Sequence, residues 1–113
     1  MTPAETADLA ELLDAKRAEL EAELAALTRE EEDTSGIAFG KRVGDGTSVA
    51  VERLALVAAH DRLQAMLADV RRAQEKLDDG TYGRCDTCGR PISGERLEAL
   101  PWATLCIEDA ARR

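Results

Sequence analysis

The sequence is poor in the side chains that build large cores and active sites. Its 113 residues include one Phe, one Tyr, one Trp and one His. Because aromatic side chains usually supply much of the volume around a buried pocket, we do not expect such a pocket here. A single histidine, with no base beside any cysteine, leaves no pair of residues that could activate a nucleophile. The sequence therefore predicts a protein that is not an enzyme.

Long apolar runs are missing as well. No stretch approaches the roughly 20 apolar residues that a membrane-spanning helix needs, and the N-terminus lacks the layout of a signal peptide. We expect a cytoplasmic protein with no membrane partner. The three cysteines cannot all pair within one chain. In a reducing cytosol, a closely spaced set of cysteines indicates a metal site rather than a disulfide framework.

What the chain has in abundance is charge, together with alanine and leucine. Charged residues make up 34% of the sequence, a composition typical of long helices and coiled coils. Residues 1–33 hold 11 acidic and 3 basic side chains and so carry the whole net charge of −8, whereas the acidic and basic side chains balance in the rest of the chain. An acidic first third repels phosphate, so direct sequence-specific DNA binding is not expected.

The first third has the pattern of one amphipathic helix. Residues 6–33 contain neither Gly nor Pro. Leucines recur there at helical spacing: Leu9, Leu13, Leu20, Leu24 and Leu27. Thr2, followed by Pro3 and Glu5, is typical of a helix start. Four acidic residues at 30–33 lie at the negative end of the helix dipole, and we expect the helix to fray there.

A glycine-rich segment then separates two helices. Residues 34–47 hold four glycines and predict a loop, after which Thr47 or Ser48 can cap a second helix. That helix carries one apolar position of a strict seven-residue repeat: Val49, Leu56, Leu63, Val70 and Leu77. Gly80 is placed to end it with a left-handed cap. Two heptad helices joined by a short loop most simply fold back antiparallel.

The predicted fold is therefore all-α, with two domains. Residues 1–79 form an antiparallel coiled-coil hairpin whose tip is the loop at about 34–47. Residues 80–113 form a small C-terminal domain. A segment of this length cannot fold on a hydrophobic core alone and needs a staple.

The cysteines supply that staple. Cys85 and Cys88, followed by Gly89, form a CxxCG knuckle whose two thiolates can occupy two corners of a zinc tetrahedron. Cys106 follows after 17 residues, and a further step of three reaches Asp109. The spacing predicts a zinc finger in which a carboxylate replaces the fourth cysteine. Carboxylate oxygen is an accepted zinc ligand.

Two alternatives remain open at this stage. Asp109 could be a solvated charge beside a three-thiolate site, or the finger could fold without metal through Leu97, Leu100 and Trp102. The single His60 does not supply a missing ligand. It lies 18 residues before Asp78 on the second helix, a distance of about 27 Å at the helical rise.

The finger resembles that of a known family. Residues 77–92, continuing through 95–101 to Cys106, are similar to the zinc finger of the DksA/TraR transcription regulators. The resemblance implies a coiled-coil hairpin, a zinc finger holding one structural zinc ion, and a short terminal helix. It also implies a protein that binds RNA polymerase, inserting its coiled-coil tip in the secondary channel to modulate initiation.

The resemblance extends to the tip with departures. The family pattern DxxDxA, counted back from Cys85, falls on Arg42, Asp45 and Thr47. Only the middle acid is kept, so the resemblance assigns the tip role to Asp45. The alternative is that Asp45 merely makes a turn with its glycine neighbours. Asp109 also departs from the family, which usually has cysteine there.

We expect a monomer that binds RNA polymerase. Two other functions compete with this one. One is a zinc ribbon that binds nucleic acid through arginines near the finger: Arg84, Arg90, Arg96, Arg112 and Arg113. The other is a metal-stapled coiled-coil adaptor for a different partner.

Overall fold

The computed structural model describes residues 2–41 and 46–112. For residues 30–41 and 46–49 it describes the backbone only. Within these described ranges, four helices follow one another: α1 (Pro3–Lys41), α2 (Gly46–Asp79), α3 (Gly94–Ala99) and α4 (Ile107–Ala111). Over the described residues, β-structure is limited to one isolated bridge between Arg84 and Pro91. The predicted all-α fold, an antiparallel coiled-coil hairpin with a small C-terminal finger and a short terminal helix, is confirmed. None of the described helices is both long enough and apolar enough to cross a membrane.

The start of α1 is fixed by a reciprocal cap. The Thr2 hydroxyl oxygen accepts a hydrogen bond from the Glu5 N–H at 3.2 Å. In return, the Thr2 N–H donates to the Glu5 carboxylate at 3.1 Å. Pro3 occupies the first helical position, where its missing N–H costs nothing. The helix start predicted from these three residues is confirmed.

The predicted tip loop was too long. Helix α1 continues to Lys41 and α2 begins at Gly46, so most of the segment 34–47 is helical. No proline interrupts this stretch, and a glycine in a helix interior costs only about 1 kcal/mol relative to alanine. Thr47 and Ser48 lie inside the first turn of α2, so neither is its N-cap, and the residue before Gly46 lies outside the described residues.

The chain divides into two compact units. The first contains residues 1–18 and 67–113, and the second contains residues 19–66. The predicted boundary after residue 79 coincides with the end of α2, but the unit that holds the finger also takes in helical residues from both ends of the hairpin. The division into a hairpin domain of residues 1–79 and a finger domain of residues 80–113 therefore stays a prediction.

In the first unit, the beginning of α1 lies against the end of α2. Gln74 links the two helices because its amide donates to Asp14 at 2.6 Å and accepts from Arg17 at 3.1 Å. Leu13 and Val70 are fully buried, as the leucine and heptad patterns predicted. In the second unit, the predicted seam residues are Leu20, which is buried, and a half-buried set: Leu24, Leu27, Leu56 and Leu63.

Helix α2 ends as predicted, with a left-handed glycine. Gly80 has a φ of +81°, a conformation that residues with a Cβ rarely adopt. The Thr81 N–H then donates to the Lys76 carbonyl at 2.8 Å, closing the last turn in a Schellman motif. This cap sets the direction in which the finger leaves the helix.

Two adjacent leucines test the packing of the first unit. Leu13 is 0% exposed, whereas Leu12 is 44% exposed. We expect Leu13→Ala to lower the free energy of unfolding by about 2–5 kcal/mol through a core cavity. Leu12→Ala is the matched control and should cost less than about 1 kcal/mol. Urea denaturation followed by circular dichroism measures both, and equal losses would contradict this packing.

Candidate metal centre

The first half of the site is the Cys85–Cys88 turn. The Gly89 N–H donates to the Cys85 carbonyl at 3.0 Å, and the Cys85 N–H donates to the Arg90 carbonyl at 2.9 Å. Gly89 has a φ of +75°, so a glycine is needed for the chain to turn back at this point. The fold of the turn brings the two thiols to the same side.

The second half of the site is the start of α4. Cys106 immediately precedes this helix, and its carbonyl accepts the Ala110 N–H at 2.9 Å. Residues three apart on a helical turn are neighbours, so Asp109 returns to the sulfur of Cys106. The Cys106 thiol donates to Asp109 Oδ2 at 3.2 Å. The short helix α4 and the residue that precedes it thus supply two of the predicted ligands.

The structure brings all four predicted metal ligands together. The sulfurs of Cys85, Cys88 and Cys106 and a carboxylate oxygen of Asp109 all lie within 4.8 Å of one another. The Cys85 thiol is 3.0 Å from Asp109 Oδ2, and the other two sulfurs are 3.9 Å apart. Two thiolates on a tetrahedral zinc ion are about 3.8 Å apart, given zinc–sulfur bonds of about 2.3 Å. The donor set and its spacing therefore fit one structural zinc ion.

Electrostatics at the cluster favour a bound cation. Hydrogen bonds from Cys85, then Cys106 and Cys88, hold the pKa of Asp109 below its usual range. The backbone N–H of Asp109 is the largest influence on Cys106 and lowers its pKa. Burial and side-chain hydrogen bonds with Asp109 and the other thiols outweigh it, raising the pKa of Cys106 to about 11. At that pKa the thiol of Cys106 keeps its proton at neutral pH, and a cation bound beside it would lower the pKa and favour the thiolate.

A charged clamp fastens the Cys85–Cys88 turn to α2. Lys76 is only 2% exposed, and its ammonium donates to the Arg84 carbonyl and, at 2.9 Å, to Asp86 Oδ1. Arg72 binds the same carboxylate in a bidentate manner, at 3.0 and 3.1 Å. The hydrogen bonds from Arg72, and then those from Lys76, hold the pKa of Asp86 below its usual range.

The sequence analysis missed this clamp. Lys76 follows the buried Ala73 by three residues, so it lies on the apolar face of α2. A basic residue on that face, with an acid inside the CxxC turn, was the available signal. Neither residue is an expected zinc ligand, which is why ligand spacing did not reveal them.

Side chains outside the clamp hold the rest of the finger. The Tyr82 hydroxyl donates to the Pro101 carbonyl at 2.7 Å, and the Arg96 guanidinium donates to the Leu105 carbonyl at 2.9 Å. From α1, the Lys16 ammonium lies 5.2 Å from the centre of the Trp102 ring, in a cation–π contact.

Comparison with known proteins identifies the fold. Residues 80–112 match the family model of the prokaryotic dksA/traR C4-type zinc finger. The solved structure of transcription factor DksA2 from Pseudomonas aeruginosa is 31% identical, with a TM-score of 0.79, over 99% of this chain and 84% of that one. The chain belongs to the DksA/TraR family.

Curated relatives match over shorter stretches. General stress protein 16O of Bacillus subtilis is 48% identical over 46 residues, which are 41% of this chain and 28% of that protein. The RNA polymerase-binding transcription factor DksA of Caulobacter vibrioides is 33% identical over 70 residues, which are 62% of this chain and 49% of that protein. The matched part of this chain thus spans half or less of each of these two curated relatives.

The structure does not describe the side chains of the predicted tip residues. Arg42 and Asp45 lie outside the described residues, and Thr47 is described only as a backbone position in the first turn of α2. The cluster found among the described residues does not include His60. Its ring nitrogen Nδ1 lies 4.0 Å from the carboxylate of its neighbour Asp61.

The fourth corner of this DksA/TraR finger can be tested directly. If Asp109 ligates zinc, Asp109→Ala should weaken zinc binding by at least about tenfold, and Asp109→Cys should strengthen it by completing a four-thiolate site. Glu108→Ala, which removes the exposed neighbouring carboxylate, should leave the affinity unchanged. Competition with a chromophoric chelator under reducing conditions measures all three variants.

Two results would contradict parts of this assignment. Unchanged affinity in Asp109→Ala would leave a three-thiolate site. Less than about a tenth of an equivalent of zinc in purified, tag-free protein would mean that the finger folds without the metal that its ligands predict.

Proposed function

We propose that this protein binds RNA polymerase and regulates the initiation of transcription. The observation that carries the proposal is the likeness to DksA2, a transcription factor, because it extends over 99% of this chain and so includes the hairpin as well as the finger. The Caulobacter relative, named as an RNA polymerase-binding transcription factor, supports the choice of partner.

The hairpin is the part that we propose enters the secondary channel of the polymerase. Helix α2 has 34 residues and is therefore about 51 Å long, long enough to carry a tip deep into a channel. The excess negative charge lies in residues 1–33, so a basic channel entrance would steer the encounter. In this proposal Asp45 acts at the tip, flanked by Arg42 and Thr47, through its effect on the charge around the catalytic magnesium.

The finger has a structural role in this proposal. Cys85, Cys88, Cys106 and Asp109 hold one zinc ion, which contributes folding free energy to the finger without taking part in a reaction. We propose a monomeric, cytoplasmic, non-enzymatic regulator that reaches promoters through polymerase rather than through sequence-specific DNA contacts. Docking is spread over the helices and finger, whereas the regulatory effect depends on the tip.

Separating docking from regulation tests the proposal. We expect Asp45→Asn to keep polymerase affinity within about twofold while abolishing most of the effect on initiation, because a single charge contributes little to a large interface. Glu52→Gln, which neutralises an exposed acid on α2, is the control and should preserve both properties. Binding is measured with purified polymerase core enzyme, and regulation by in vitro transcription.

Other outcomes would revise the proposal in defined ways. Loss of affinity together with activity would make Asp45 a docking or turn residue. Full activity in Asp45→Asn would mean that the hairpin acts only by blocking the channel. No binding of the wild-type protein to polymerase would overturn the proposal and favour a coiled-coil adaptor for another partner.

A second function is favoured by one observation. Arg84, Arg90 and Arg112 are all exposed on the finger, where they could contact phosphates. A nucleic-acid-binding finger should retain double-stranded DNA at physiological salt, with an affinity that falls steeply as salt rises and that is reduced by Arg90→Ala. Retention only at low salt would mark the contact as nonspecific and leave polymerase as the partner.

A further inference from the structure

We propose that Lys76 and Asp86 are positioning residues for the metal centre, and that through them metal binding and the end of α2 stabilise each other. The inference rests on the proposed zinc site. It concerns two residues that are not ligands and that act by fixing where Cys85 lies.

The contacts of Lys76 bracket Cys85 in the sequence. Its ammonium donates to the carbonyl of Arg84, the residue before this cysteine, and to the carboxylate of Asp86, the residue after it. Cys85 itself is 3% exposed. With a backbone atom on one side and a side chain on the other held by the same buried cation, the intervening residue has little freedom to move its sulfur.

The same clamp reaches the second half of the centre. The Asp86 N–H donates to the carbonyl of Thr104 at 2.8 Å, and Thr104 lies two residues before Cys106. The carboxylate of Asp86 therefore contacts α2, and its backbone N–H contacts the segment that leads to Cys106. Fixing Asp86 fixes the separation between the two halves of the ligand set.

The burial of Lys76 makes the clamp obligatory. An ammonium that is 2% exposed is stable only when its donors are paired, since an unpaired buried charge is strongly destabilising. Its partners belong to the turn that carries Cys85. The ammonium at the end of α2 is therefore paired only when that turn is in place. By reciprocity, whatever stabilises the turn, including a bound metal, stabilises the helix end.

If charge alone mattered, neutralising Asp86 would change zinc affinity in the direction opposite to that expected from positioning. Zinc adds two positive charges, and three thiols lose their protons on binding it, so the centre becomes more negative by about one charge. Removing the negative charge of Asp86 should then tighten zinc binding. Positioning predicts weaker binding, because Lys76 loses its carboxylate partner and the Cys85 turn is released.

The experiment measures zinc affinity in full-length protein. We expect Asp86→Asn and Lys76→Met each to weaken zinc binding by about tenfold, the lower end of the range for residues that orient metal ligands. The double variant should lose little more than either single variant, since the two residues act as a unit. Arg71→Met and Asp78→Asn, which change exposed residues of α2 in the same unit, are charge-matched controls and should stay within about twofold of wild type.

A second measurement separates positioning from general loss of structure. Cobalt(II) reports thiolate coordination by its absorption, and circular dichroism reports helix content before metal is added. We expect the cobalt spectrum of Asp86→Asn to change at a helix content equal to that of wild type. Should Lys76→Met fail to fold, Asp86→Asn, which keeps the size of the side chain, carries the test by itself.

Three outcomes would overturn the inference. Unchanged or tighter zinc binding in Asp86→Asn would reduce the clamp to a structural ion pair. Fully additive losses in the double variant would mean that Lys76 and Asp86 act separately. Failure of wild-type protein to bind zinc or cobalt would overturn the metal site itself, a result distinct from normal binding in wild type and variants alike.

Discussion

The buried ammonium of Lys76 is the constraint on which the finger depends. A cation placed on the apolar face of a helix must find its partners within reach, and here they come from the Arg84 carbonyl and the Asp86 carboxylate. Because Arg72 binds the same carboxylate from one turn earlier, Asp86 is held by two cations at once. The path of the chain after α2 is therefore set by charge pairing as much as by the glycine cap.

This arrangement explains how so short a finger acquires a defined structure. Its own buried apolar side chains are few, chiefly Ile92 and Ala103, and cannot offset the entropy of ordering about 33 residues. The helical hairpin supplies what is missing, through the clamp on one side and the Lys16–Trp102 contact on the other. Residues from both ends of the hairpin and the finger consequently form one compact unit, and the turn that carries Cys85 is bonded directly to α2.

Local patterns predicted the parts of the fold that local chemistry determines. The Thr2 cap and the Gly80 cap depend on residues close in sequence, and both predictions agree with the structure. The four residues predicted as ligands from their spacing lie close together, and their ligation of zinc stays a prediction. The length of α1 and the role of Lys76 were not predicted. Glycines suggested a loop where helix continues, since propensity is a weak influence over a few residues. The role of Lys76 on α2 depends on its bond to Asp86, ten residues away, and this bond is known only once the turn has been placed.

If Asp109 is the fourth ligand, as we propose, the scaffold around the site has a larger part to play in zinc binding. Asp109 and a thiolate each bring one negative charge, so replacing cysteine leaves the charge of a zinc-loaded centre unchanged. Carboxylate oxygen is a harder donor than sulfur, and zinc gains less from it than from a fourth thiolate. This loss of zinc-binding free energy has to be offset by holding the remaining ligands close to their bound geometry before the metal binds. A side chain of Asp109 that is 8% exposed, beside a Cys85 held on both sides by one buried lysine, is the kind of preorganisation that a three-thiolate, one-carboxylate finger needs.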